Sequence, residues 1–227
     1  MKECSVEMQE DMVPPHLVVQ ELSKKYDSFV ALTPTNFELM GGEISILSGP
    51  NGSGKTTLLS CLTGLVPLSS GTVQVMGYDL YRDEVEVRRR MVYVPDVPRF
   101  YLELTAWEHL RFIALANGVE KDFKQKAESL MKKYGIWEAK DLFPHHYSRG
   151  MRLKLGLTLA LIRPFNVLLL DEPTSALDEE GVIMLVEELR SLRQAGVAIL
   201  LTTHDPGLID QLADRRLLIR NGEIRTV

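Results

Sequence analysis

Residues 49–57 read GPNGSGKTT. Gly49, Gly54, Lys55 and Thr56 fill the fixed positions of the pattern G-x-x-x-x-G-K-[ST], in which a glycine-rich loop turns its backbone N–H groups toward one anion. The glycines allow the backbone to curl that tightly. Lys55 adds a positive charge suited to β- and γ-phosphates, and the Thr56 hydroxyl suits a Mg²⁺ ion. The flanks support this reading. Residues 43–48 (EISILS) form a short apolar run expected to be a buried strand. Residues 56–63 (TTLLSCLT) follow as a helix whose N-terminus would face the phosphates. The stretch therefore predicts an α/β domain that binds a nucleoside triphosphate.

The rest of the chain sets bounds on that domain. Its 227 residues, 45% of them hydrophobic, suit one sizeable domain with room for a subdomain. The 26 basic and 31 acidic residues give a net charge of −5, so no global positive field draws it to nucleic acid, and none is expected as a partner. The longest apolar runs fall well short of the roughly 18 residues that a membrane-spanning helix needs. The N-terminal stretch MKECSVEMQEDMVPPH carries acids where an export signal has an apolar core, so a cytoplasmic location is expected. Cys4 and Cys61 do not make a disulfide framework; Cys61, on the helix after the loop, reads as a reduced core residue.

Outward from the loop, residues 1–16 are expected to be a loose tail ending at Pro14-Pro15, with a single domain over 17–227. Residues 17–20, 35–39 and 71–76 have the alternation of half-buried strands and predict a small antiparallel sheet beside the nucleotide. Residues 105–134 turn helical, with Asn117-Gly118 separating two helices, within a helical insertion at about 100–160. Residues 166–171 (NVLLLD) and 197–203 (VAILLTT) are continuous apolar strands of the kind buried on both faces of a parallel sheet. A helix over 179–194 connects them and ends at Ala195-Gly196. Asn221-Gly222 predicts a tight terminal hairpin.

Two further stretches carry chemistry. VLLLDEP (167–173) stays apolar to its end and then presents Asp171, suited to hold Mg²⁺, and Glu172, suited to take a proton from an attacking water. YSRGMRLKLG (147–156) reads on its own as a Ser-capped helix start. The pair His145-His146 has no accompanying ligand cluster and is expected at the surface.

Taken together, these motifs resemble ATP-binding cassette (ABC) ATPases from about residue 17 to residue 227. YSRGM stands at the signature segment, usually LSGGQ. Thr174-Ser175-Ala176-Leu177-Asp178 stands at the D-loop, and His204 at the switch histidine. The resemblance implies a P-loop core with an antiparallel β subdomain and a helical insertion, and ATP and Mg²⁺ as cofactors. It implies that Gly49, Pro50, Asn51, Gly52, Ser53, Gly54, Lys55, Thr56 and Thr57 cradle ATP, with Tyr26 stacked on adenine. Thr56 and Asp171 would serve the metal, Glu172 would be the general base, and His204 would bond the γ-phosphate. Ser148 and Gly150 would face the nucleotide of a second copy or another paired cassette. A separate transmembrane permease subunit is implied, which would place the chain on the cytoplasmic face of the membrane.

The sequence departs from the common pattern at Asp96, where glutamine is usual, and at Tyr147, Arg149 and Met151 of the signature. YVPDVPRFYLELT with a YSRGM-type signature is similar to the ATPase subunits of ABC-2-type exporters, which makes export the expected direction. An ABC importer subunit is the nearer alternative, and a soluble ABC ATPase acting on ribosomes or DNA a more distant one. Asp96 is a candidate further oxygen ligand for Mg²⁺, or else an ordinary turn residue. Phe100, Tyr101 and Leu102, just after it, are candidates for a docking groove for a permease helix.

Overall fold

The computed structural model describes residues 14–227, so the expected tail up to residue 13, with Cys4, lies outside the described residues. Two sheets share the work. The first is antiparallel, in the order β2-β1-β4-β5, from β1 (Leu17–Tyr26), β2 (Phe29–Leu39), β4 (Ser70–Val75) and β5 (Tyr78–Asp79). The second has the order β10-β9-β3-β8-β7-β6. It comprises β3 (Ile44–Ser48), β6 (Met91–Val94), β7 (Val167–Asp171), β8 (Ala198–Thr202), β9 (Arg215–Arg220) and β10 (Glu223–Thr226). All its pairings are parallel except β9 with β10.

The reason for the continuous apolar strands is visible in β7 and β8. All ten of their residues are buried, because both faces of the sheet are covered. The pleat divides them between two cores. Val167, Leu169, Ala198 and Leu200 join Leu58, Leu59 and Leu62 of α1 (Lys55–Leu62) and the antiparallel sheet. Leu168, Leu170, Ile199 and Leu201 join the helical side, built from α3 (Ala106–Ala116), α4 (Phe123–Lys133), α5 (Arg149–Leu161) and α6 (Glu179–Gln194). Each fully buried leucine contributes about 1.5–3 kcal/mol of transfer free energy. Cys61 lies in the first core, where burial pushes its thiol up to about 11, so it remains protonated at neutral pH.

The helices begin where local chemistry satisfies their first N–H groups. Thr105 and Glu108 form a reciprocal capping box on α3. The Ser148 hydroxyl accepts from Met151 N at 3.2 Å on α5, and Asp178 accepts from Gly181 N at 3.2 Å on α6. The end of α2 (Glu84–Arg90) is closed by Arg163, whose guanidinium donates to the carbonyls of Arg88, Arg89 and Met91 at 2.8–3.0 Å. α7 (Pro206–Leu212) is capped by Asp205.

Several boundaries differ from the sequence reading; β2 begins at Phe29, six residues before the expected start at Thr35. β1 runs six residues beyond Gln20, because Glu21 adopts φ 50 and forms an irregularity that breaks the alternation without ending the strand. His16 is part of the folded body and not of a loose tail: its N–H donates to Leu39 O at 2.9 Å, its carbonyl accepts from Met76 N at 2.8 Å, and its ring nitrogen lies 3.2 Å from Asn166 O.

The terminal hairpin turns at Asn221 (φ 50) and Gly222 (φ 77), the two positive-φ positions of a type I′ turn. It also braces the site. Gly222 N donates to Ser53 O at 3.0 Å, Thr33 N donates to Gly222 O at 3.0 Å, and a Cβ on Gly222 would stand 2.5 Å from Ala31 O. Gly222→Ala should therefore lower the unfolding free energy by about 1–3 kcal/mol. Urea denaturation checks this, and an unchanged midpoint would contradict the role of the turn.

Candidate active site

The phosphate-loop segment lies between the end of β3 and the start of α1, in a space where backbones pass unusually close. A Cβ on Gly49 would stand 2.3 Å from Ile219 O on β9. Gly54 has φ 112, and its Cβ would stand 3.0 Å from Ala31 O on β2. Only glycine fits both requirements. Within the loop the Lys55 ammonium is buried, donates to Gly49 O at 2.8 Å, and lies 3.7 Å from Glu172 Oε1. The Ser53 hydroxyl is buried with no hydrogen-bond partner among the described residues. A buried donor without an acceptor, beside a buried ammonium at a helix N-terminus, fits a bound phosphate.

β7 delivers the two carboxylates. Asp171, 3% exposed, accepts from Thr56 Oγ1 at 2.7 Å and from Thr202 Oγ1 at 2.6 Å, one hydroxyl for each carboxylate oxygen. The same Thr202 hydroxyl accepts from Glu172 N at 2.9 Å. Glu172 has φ 44, a left-handed conformation that costs a non-glycine residue about 1–3 kcal/mol. Its carboxylate lies between Lys55 and His204, whose Nδ1 is 3.1 Å from Oε2. Burial and the adjacent Asp171 carboxylate push the Tyr93 phenol well above its usual range, so it stays protonated beside Asp171.

A cleft of about 330 Å³ opens over the loop and the two carboxylates, lined by Asn51, Gly52, Gly54, Lys55, Thr56, Thr57, Asp171 and Glu172, with Phe29 and Ala31 of β2 also on its wall. His204 touches Glu172 from outside that lining. Thr56 and Asp171 offer a hydroxyl and a carboxylate, hard oxygen donors that fit Mg²⁺ if phosphate and water complete its shell. Tyr26 does not line this cleft. It pairs with Phe29 across the tip of the β1–β2 hairpin, is 44% exposed, and has Lys24 Nζ 4.6 Å from its ring centre. Phe29, 64% exposed, is the aromatic on the wall.

Ser148 and Gly150 also lie outside the cleft, at the N-terminus of α5. A Cβ on Gly150 would stand 2.7 Å from Ala176 O, so the signature segment packs directly on the segment after Glu172. Asp96 does not stand with Thr56 and Asp171. Its carboxylate is engaged by Arg149 and Ser175, which leaves the metal-ligand expectation without support in this conformation. His145 and His146 are exposed; His145 stacks on Phe143 and meets the His146 ring at a tilt of 48°, and no group of three potential ligands surrounds them among the described residues.

Thr202 was not singled out from sequence, yet it joins Asp171 to the backbone of Glu172. Its one sequence signal is a hydroxyl at the end of a pure aliphatic strand, AILLT, two residues before His204. Thr202→Val keeps the shape and leaves one Asp171 oxygen and the Glu172 amide short of a partner. It should cost about 1–3 kcal/mol of stability, with Thr202→Ser close to wild type. Thermal or urea unfolding of the three proteins decides it; a valine variant as stable as wild type would contradict the assignment.

Comparison with known proteins gives this cleft its family. The model of the ABC transporter family matches residues 32–175. The chain is 34% identical over 215 residues to the uncharacterized ABC transporter ATP-binding protein YdbJ of Bacillus subtilis, covering 94% of this chain and 69% of that one. It is 32% identical to the SkfA peptide export ATP-binding protein SkfE of the same organism, covering 91% and 86%. It is 31% identical to a probable amino-acid ABC transporter ATP-binding protein of Haemophilus influenzae, covering 92% and 85%. A solved structure of the ATP-binding subunit of an ABC transporter superposes with a TM-score of 0.87 at 30% identity, covering 93% and 90%. The chain belongs to the ABC transporter family and is an ATP-binding subunit with ATPase activity.

Proposed function

We propose that this chain powers an exporter, hydrolysing ATP in a site completed by a second cassette. The observation that carries the hydrolytic reading is Glu172, held at the end of β7 with its carboxylate between the Lys55 ammonium and the His204 ring. The loop amides and Lys55 bind and orient the triphosphate. Glu172 accepts the proton of the attacking water, and His204 orients the γ-phosphate and that water. Thr56 and Asp171 would hold Mg²⁺, which would supply neutralisation of the charge on the phosphate oxygens. Asp171 is itself fixed by Thr202.

Ser148 and Gly150 lie at a helix N-terminus outside their own cleft, which supports a role toward the nucleotide of a partner. Two copies of this chain, or this chain with another cassette, would each lend that terminus to the other. For the permease, Tyr101 and Leu102 are 59% and 68% exposed, and Tyr101 packs edge-on against exposed Phe112, with ring centres 5.7 Å apart. Phe100 is partly buried against the helical core and anchors the segment. An apolar ledge beside the cassette suits a helix of a membrane subunit. No described helix is long and apolar enough to cross a membrane, so such a subunit would supply the spans and hold the chain at the cytoplasmic face. Export is favoured by the Asp96 and YSRGM departures and by the likeness to SkfE. Import is the rival, with the amino-acid transporter relative on its side.

Glu172→Gln should bind ATP normally, lose roughly 10²- to 10⁴-fold in turnover, and accumulate as an ATP-bound dimer on a sizing column. Near-normal hydrolysis would remove Glu172 as the base. The shared site is tested separately. Turnover per chain should rise with protein concentration, and mixing Lys55→Ala with Ser148→Arg chains should regenerate one intact site per heterodimer. Rates that do not change on dilution to measured monomer would contradict a partner-completed site.

A further inference from the structure

Three residues far apart in sequence meet on the face that carries the signature segment. Arg149 Nη2 donates to Asp96 Oδ1 at 2.8 Å, to Asp96 Oδ2 at 3.0 Å and to Ser175 Oγ at 3.1 Å. Ser175 Oγ in turn donates to Asp96 Oδ1 at 2.5 Å. Asp96 follows β6, Arg149 is the first residue of α5, and Ser175 lies three residues after Glu172. Asp96 and Arg149 are also two of the positions at which the sequence departs from the common ABC pattern. In this structure the two departures answer each other, carboxylate against guanidinium.

We infer that Asp96 is a positioning residue for hydrolysis, acting through Arg149 and Ser175 to fix the signature segment against the turn that follows the base. This rests on the proposed partner-completed site. What Asp96 holds on one side is Arg149, the immediate neighbour of Ser148 and Gly150, the groups offered to the partner. What it holds on the other is Ser175, whose N–H donates to Glu172 O at 3.1 Å in the chain's own site. Two further contacts make the same junction. Lys154 Nζ donates to Asp178 Oδ1 at 3.1 Å, and the Gly150 Cα sits where a Cβ would stand 2.7 Å from Ala176 O. The N-terminal half of α5 and residues 175–178 are thus joined at three places, with Asp96 as the tie to the parallel sheet.

Magnitudes separate positioning from fold stability. The Asp96 and Arg149 side chains are 35% and 51% exposed, and ion pairs that open to water add little to folding. Orientation, by contrast, is steeply rewarded, since a displacement of about 1 Å in a reacting group can cost on the order of 100-fold in rate. Breaking the pair should therefore slow hydrolysis far more than it lowers the melting temperature.

The test uses the full chain with Asp96→Lys, Arg149→Asp, the double exchange, and Asp96→Asn. Each charge-reversed single should lose roughly tenfold or more in kcat. Binding of a fluorescent ADP analogue to dilute chain should stay unchanged, and melting temperatures should stay within about 2 °C of wild type. The double exchange should regain much of the lost rate. Asp96→Asn, which keeps the shape, should be slowed with no change in the Mg²⁺ concentration giving half-maximal rate. Singles as fast as wild type would overturn the inference, as would losses that multiply in the double variant or a shifted Mg²⁺ requirement, the mark of direct metal ligation. Glu172→Gln run alongside keeps the two readings apart. A fast Glu172→Gln removes the hydrolytic reading and this inference with it. A slow Glu172→Gln beside a fast Asp96→Lys removes the inference alone.

Discussion

A carboxylate taken out of water must be compensated where it stands, and Asp171 is such a group at the end of the central strand. Left alone, a buried charge would cost several kcal/mol or take up a proton. Here Thr56 brings one hydroxyl from α1 and Thr202 another from β8, so each oxygen accepts a short bond. Those bonds hold the start of the loop helix, the end of β7 and the end of β8 in one arrangement. The loop glycines, the Lys55 ammonium and the Glu172 carboxylate take their places around that fixed point.

Much of this was legible in the sequence, for identifiable reasons. The loop motif, the aliphatic runs of β3, β7 and β8, and the turn signals at Ala195-Gly196 and Asn221-Gly222 all rest on local chemistry that neighbours do not override. Helix α6 spans the expected residues because its Asp178 cap and its terminal glycine are both local. What the sequence did not show depends on long-range partners. The full length of β1 is hidden by the irregularity at Glu21, which the Asn36 side chain stabilises from β2. Phe29 reaches the cleft wall only because the hairpin tip turns there, and the Asp96 to Arg149 contact spans 53 residues. No periodicity or spacing announces such pairs.

The parallel sheet divides the interior of the molecule into two cores. The core containing α1 and the antiparallel sheet surrounds the nucleotide loop, whereas the other carries α3, α4 and α5, with the exposed ledge of Tyr101 and Leu102. Among the described residues, β3, β6, β7 and β8 contribute to both cores, their alternate residues serving one side and then the other. The helical side packs on one face of that sheet, while the loop on the other is braced by β9 and the terminal hairpin.

The left-handed backbone at Glu172 has a consequence that reaches beyond its strain. In a regular strand, neighbouring side chains leave on opposite faces, so an Asp-Glu pair at a strand end would aim its two carboxylates apart. The positive φ at Glu172 breaks the pleat at that step and lets both acids serve a single cleft. Glycine would adopt the same backbone without penalty, and a more relaxed protein would follow, but one without the carboxylate that the proposed mechanism needs. The backbone strain at the end of β7 thus falls on the residue to which the proposed mechanism assigns the proton.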